Sequence, residues 1–126
     1  MLRSPDPTVL AWLDRQPQTS VWTTSITVFE IRYGLLVMAA GKRRTALLQD
    51  WELLLDNLDH RVAVFDAQAA HKASELMARR RTTGRTVELR DTMIAAIALA
   101  HHATVATRNT VHFEDDGITL VNPWNS

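Results

Sequence analysis

Glu88-Leu89-Arg90-Asp91-Thr92-Met93-Ile94-Ala95-Ala96-Ile97-Ala98-Leu99-Ala100-His101, followed closely by Thr104-Val105-Ala106-Thr107, decides the fold class. The first run is almost wholly apolar at helical spacing. The second is short and β-rich, so the pair reads as a helix feeding a strand. The same rhythm recurs upstream. Arg61-Val62-Ala63-Val64-Phe65 predicts a strand, and Asp66 caps a helix over Ala67 to Arg81 that stops before Gly84. Val21-Trp22-Thr23 predicts another strand. Thr24 or Ser25 then caps a helix carrying Ile26, Phe29, Tyr33 and Leu36 on an apolar face.

Gly41 breaks that helix, and periodicity resumes from Thr45 to Leu58 through Leu47, Leu48, Trp51, Leu54, Leu55 and Leu58. Downstream, Ile118-Thr119-Leu120-Val121 predicts a last strand, closed by Asn122-Pro123-Trp124. The chain opens on a helix from Asp6 to Gln16, with Asp6 as its cap, Pro7 in its first turn, and Pro17 ending it. Strands alternating with helices predict an α/β domain, a small parallel sheet flanked by helices. In such sheets the functional edge lies at the carboxyl ends of the strands. No strand precedes the first helix, so a piece of that edge is expected to be missing.

The bulk properties narrow the chemistry. At 126 residues the chain is expected to form one domain over residues 1–126. Hydrophobic residues make up 46% and charged residues 22%, the balance of a soluble globular protein. No apolar run reaches the length of a membrane span, and the N-terminus lacks a signal-like apolar stretch, so the expected compartment is the cytoplasm. Zero cysteines remove disulfides, thiolate metal sites and cysteine nucleophiles together. A formal net charge of zero argues against a broad basic field for nucleic acid, though not against a local basic patch.

Two acids interrupt helices that otherwise read as buried. Glu30 sits in Thr27-Val28-Phe29-Glu30-Ile31-Arg32-Tyr33-Gly34 and shares a helix face with Thr27 and Gly34. Asp91 opens the apolar helix. A carboxylate on an apolar face is costly without a compensating cation. Two brought together, with no Cys and few candidate His ligands, point to a hard divalent cation held by oxygen. Simpler roles compete. Glu30 fits an N-terminal helical turn, where the dipole favours an acid, or the fourth place of a Thr27-x-x-Glu30 capping box; Asp91 suits the positive end of its helix dipole, and Glu88 is a ligand, a cap or a spectator. Asn109, in the loop after the third strand, offers a neutral oxygen or is a plain turn residue.

The remaining polar groups read as structural. Glu114-Asp115-Asp116-Gly117 reads as a solvated turn. Arg79-Arg80-Arg81, with Arg85, follows a helix C-terminus, where cations suit the dipole. Lys42-Arg43-Arg44 is a second basic cluster, and either could contact RNA phosphates. The five histidines have no zinc-like spacing, and neither a Gly-rich phosphate loop nor a serine elbow occurs.

Taken in order, the Glu30 segment, Asp91-Thr92-Met93-Ile94-Ala95-Ala96-Ile97-Ala98, Ala106-Thr107-Arg108-Asn109-Thr110 and Val121-Asn122-Pro123-Trp124 resemble the PIN-domain ribonucleases, and more narrowly the VapC-type toxins of toxin–antitoxin pairs. The resemblance runs from about Pro5 to Trp124. It implies a metal-dependent endoribonuclease using Mg²⁺ or Mn²⁺, with Glu30, Asp91 and Asn109 in the site and Glu30 and Asp91 as metal ligands. It also implies an RNA substrate, a VapB-like antitoxin partner and a homodimer.

The family normally begins with an apolar strand ending in an Asp, its central ligand. Here Met1-Leu2-Arg3-Ser4-Pro5-Asp6-Pro7 resembles the stretch after that motif. Asp6 lies too far along to replace that ligand, and prolines restrict it on both sides. The expectation is therefore an N-terminally truncated PIN-like domain, impaired as a nuclease and prone to aggregate without a partner. The alternatives are a catalytically dead module that binds an antitoxin, and a structural domain with dipole-placed acids.

Overall fold

The computed structural model describes residues 7–17, 20–84, 88–108, 110–114 and 117–123. It divides into two compact units, residues 1–63 and 64–126.

The first unit contains α1 (Pro7–Asp14), β1 (Thr23–Thr24), α2 (Ser25–Leu36), α3 (Lys42–Asn57) and β2 (Val62–Ala63). Asp6, the expected cap of α1, lies outside the described residues. Thr24 caps α2. Its side chain accepts from the Thr27 amide at 3.0 Å, satisfying one of the donors that a helix start leaves open. β1 and β2 run parallel, with Thr23 opposite Val62 and Thr24 opposite Ala63. Arg61 ties the two strands further by donating Nε–H to the Val21 carbonyl at 3.0 Å. The turn before β2 holds Asp59 and His60 at φ of 51° and 53°, left-handed values that are uncommon away from glycine.

The core of this unit is Leu35, Trp51 and Leu55, with Val28, Ile31, Met38, Leu47, Leu48 and Val62 packed against it. This corrects the expected face of α2. Phe29, Tyr33 and Leu36 are exposed, while Val28, Ile31 and Leu35 face inward. Both sets recur at helical spacing, and packing against α3 selects the second.

The second unit contains α4 (Ala67–Thr82), α5 (Leu89–Ala100), β3 (Thr104–Ala106), a 3₁₀ turn over Thr110–Phe113, and β4 (Thr119–Val121). Asp66 caps α4 as expected, its Oδ1 accepting from the Ala69 amide at 2.9 Å. β3 and β4 are parallel, with Val105 opposite Leu120, and the ladder continues where the Thr107 amide donates to the Val121 carbonyl at 3.0 Å. Leu76, Ala95, Ala98, Val105 and Phe113 form the core, with Ile94, Leu99, Ile118 and Leu120 around it. Small residues on α5, with Ala95, Ala96 and Ala98 all buried, let α4 pack closely.

The α/β alternation and the parallel pairing agree with the sequence. The described strands form two separate two-stranded sheets, β1–β2 and β3–β4. No helix among the described residues is long and apolar enough to cross a membrane.

Candidate active site

Glu30 stands on α2 in the first unit. With Thr24 as N-cap, the first turn of α2 contains no acid, and Glu30 falls in the second turn. That removes both simple explanations. A capping box would need the helix to start at Thr27, and dipole stabilisation fades beyond the first turn. Glu30 is half-buried and has an interaction partner in the fold. One turn along, Gly34 leaves open space, since a Cβ added there would meet no atom within 4 Å.

Asp91 stands on α5 in the second unit, half-buried in the first helical turn, and it too has an interaction partner. The dipole explanation therefore remains open for Asp91. Its neighbour Glu88 is the N-cap residue but makes no side-chain cap. Its carboxylate instead accepts from Arg90, at 2.6 Å from Nε and 2.5 Å from Nη2. Glu88 is accordingly an ion-pair partner in this fold.

Arg80, expected among the dipole-suited cations at the end of α4, is instead buried against the residue after Asp91. Arg80 is only 4% exposed, and its Nη1 donates to Thr92 Oγ1 at 2.5 Å. Thr92, buried beside Asp91 in sequence, donates its own hydroxyl to the Glu88 carbonyl at 3.1 Å. A buried guanidinium therefore fixes the turn that carries Asp91. The signal was in the spacing: Ala69, Ala73, Leu76 and Arg80 are the buried positions of α4, one continuous stripe. The basic cluster expected at the end of α4 thus reduces to Arg79 and Arg81 at the surface, both exposed. Arg85 and Asn109 lie outside the described residues, as do Asp115 and Asp116. Thr107 and Arg108, which precede Asn109, lead out of β3 and both have partners.

Glu30 and Asp91 offer the hard carboxylate oxygens that Mg²⁺ or Mn²⁺ takes, and the bare face at Gly34 leaves room beside Glu30. The donor chemistry fits such a cation. Among the described residues no group of three or more His, Asp or Glu gathers closely enough to hold one.

α2 also carries an unusual surface. Phe29 and Tyr33 are 59% and 58% exposed and stack on each other, ring centroids 6.1 Å apart and 16° from parallel. Leu36 and Val37 extend this exposed apolar stripe along the same face.

The profile of the PIN domain matches residues 2–115. The VapC ribonuclease Y4jK of Sinorhizobium fredii is 44% identical over 95% of this chain and 86% of that protein. The crystal structure of FitAcB from Neisseria gonorrhoeae superposes with a TM-score of 0.87 at 32% identity, covering 98% of this chain and 89% of that one. A member of the VapBC family of toxin–antitoxin systems, VapBC-5 from Mycobacterium tuberculosis, superposes with a TM-score of 0.70 at 26% identity over 81% of each chain.

Proposed function

Because the chain belongs to the PIN-domain family, in its VapC branch, we propose that it is a metal-dependent endoribonuclease, the toxin of a cytoplasmic toxin–antitoxin pair. Glu30 carries this reading. It is a half-buried acid placed beyond the reach of a cap or a helix dipole, on a face that Gly34 leaves open. In the proposal Glu30 and Asp91 are the carboxylate ligands of a Mg²⁺ or Mn²⁺ ion, and Asn109 contributes a neutral oxygen. Such a cation, when bound, acidifies water and offsets the charge that builds on a phosphodiester during hydrolysis. Arg80 and Thr92 keep the Asp91 turn in place.

With two carboxylates as the proposed ligands, few negative charges offset dehydration of the ion, so weak metal affinity is part of the proposal. The test is hydrolysis of a labelled RNA with and without Mn²⁺, alongside a Mn²⁺ titration by calorimetry. Cleavage that needs the metal and disappears in Glu30→Gln and in Asp91→Asn supports the proposal. Metal-independent cleavage, or cleavage untouched by both substitutions, refutes it.

A second reading has its own observation. The exposed Phe29–Tyr33–Leu36–Val37 stripe suits the apolar side of an antitoxin helix, and a chain serving only as an antitoxin-binding module, or as one half of a homodimer, would keep it. Tight binding of a cognate antitoxin that is lost in Phe29→Ser/Tyr33→Ser, with no RNA cleavage under any metal, selects this reading.

A further inference from the structure

Two threonines stand at the start of α2, and they are joined by more than the helix start needs. Thr24 Oγ1 accepts from the Thr27 amide at 3.0 Å, which completes the cap. The hydroxyls of the same two residues also share a hydrogen bond at 2.9 Å. Capping does not require it, since a valine there would offer Thr24 the same amide. Nor is it the usual habit of a helical threonine, whose hydroxyl donates to a carbonyl three or four residues back. Thr92 of α5 does that, on the Glu88 carbonyl. Threonine is also a weak helix former.

Proton accounting gives the pair a direction. Each hydroxyl has one hydrogen to donate and can accept twice. One hydrogen lies between the two oxygens, so the pair keeps a second for another acceptor. Both residues are half-buried, where an unused donor is costly. If Thr24 donates to Thr27, the groups run head to tail. The Thr27 amide donates to Thr24, the Thr24 hydroxyl donates to Thr27, and the Thr27 hydroxyl is left to donate onward. Thr27 lies one turn before Glu30 on the same helix face. Gly34 lies one turn after it, with no described atom within 4 Å of a Cβ built there. A carboxylate is the strongest acceptor on that face.

We propose that Thr27 is a positioning residue for the cation site. Its hydroxyl, oriented by Thr24, donates to one oxygen of the Glu30 carboxylate and so aims the other at the ion. This rests on the metal-dependent reading above, and it gives Glu30 the kind of support that Arg80 and Thr92 give the Asp91 turn. Carboxylate ligands are themselves held by hydrogen bonds, and losing such a partner weakens metal binding by about 10- to 100-fold.

The experiment is a Mn²⁺ titration of the full chain by calorimetry, with no RNA present. Thr27→Val keeps the shape and the capping amide and removes only the hydroxyl, so its Kd should rise by about tenfold or more. Thr27→Ala places the best helix former at that position, which protects folding, and should lose affinity alike. Thr27→Ser restores the hydroxyl and should bind close to wild type. Equal Kd values in wild type, Thr27→Val and Thr27→Ala overturn the proposal, whatever happens to the melting temperature of the metal-free protein. So does Thr27→Ser binding as weakly as Thr27→Val, which would assign the effect to packing. Glu30→Gln tests the parent reading. If it loses Mn²⁺ while the Thr27 variants keep it, Thr27 is discarded and the cation site stays. If Glu30→Gln binds as wild type does, or wild type binds no Mn²⁺, the cation site falls and this inference with it.

Discussion

α3 and α4 are both 16 residues long, and they obey opposite electrical rules. α4 begins on a capping aspartate and ends on Arg79-Arg80-Arg81, so each end carries the charge its dipole favours. α3 begins on three cations with no side-chain cap and has no basic residue in its last turn. Their buried polar groups differ in the same sense. Arg80 of α4 reaches the Thr92 hydroxyl. Trp51 of α3, 1% exposed, has an indole N–H with no acceptor among the described residues. α4 follows the rules of a helix built for stability. α3 breaks two of them and is held by apolar packing.

Removing the packing anchors should expose this contrast most strongly. Trp51→Ala is expected to cost about 3–5 kcal/mol and Leu76→Ala about 2–5 kcal/mol in urea denaturation. Since α3 has little else to hold it, far-ultraviolet circular dichroism should show a larger loss of helix for the first variant. Equal helix loss would mean that the two helices depend on packing alike. Next in size is Thr92→Val, which deprives a charged donor of an acceptor and should cost about 1.5–3 kcal/mol. It should also weaken Mn²⁺ binding if the Asp91 turn shifts.

Asp66→Ala removes the α4 cap and should lower stability by about 1 kcal/mol. A loss below about 0.3 kcal/mol would show that α4 is held by packing alone. The smallest effects, about 0.3–1 kcal/mol each, come from reversing end charges. Lys42→Glu should raise the melting temperature, whereas Arg81→Glu should lower it. The same sign for both would erase the contrast.

Much of this was legible in the residues. Asp66 before Ala67, and the Ala-rich run after Asp91, fixed α4 and α5 almost to their ends. The apolar periodicity resumes only from Thr45, whereas the helix starts at Lys42, because its polar first turn carries no apolar stripe to reveal it. The strands were drawn too long. Val21 and Trp22 have β-forming side chains, yet only Thr23 and Thr24 pair with β2. Pairing depends on the partner strand, which no local pattern reports. α2 is apolar on more than one side, so spacing alone did not say whether Phe29 and Tyr33 or Val28 and Ile31 faced inward. Glu30 and Asp91 were legible as oddly placed acids, but the helix start that removes the capping reading of Glu30 came from the Thr24 geometry. Arg80 was hidden inside a run of three arginines whose surface reading was reasonable for the other two.

The buried indole of Trp51 gives the first unit an optical signature. Trp22 is exposed and Trp12 is partly so, and solvent relaxation shifts such rings to long emission wavelengths. A ring as buried as that of Trp51 fluoresces at the blue end of the tryptophan range. Unfolding around α3 can therefore be followed as a red shift in the native chain, with no label attached.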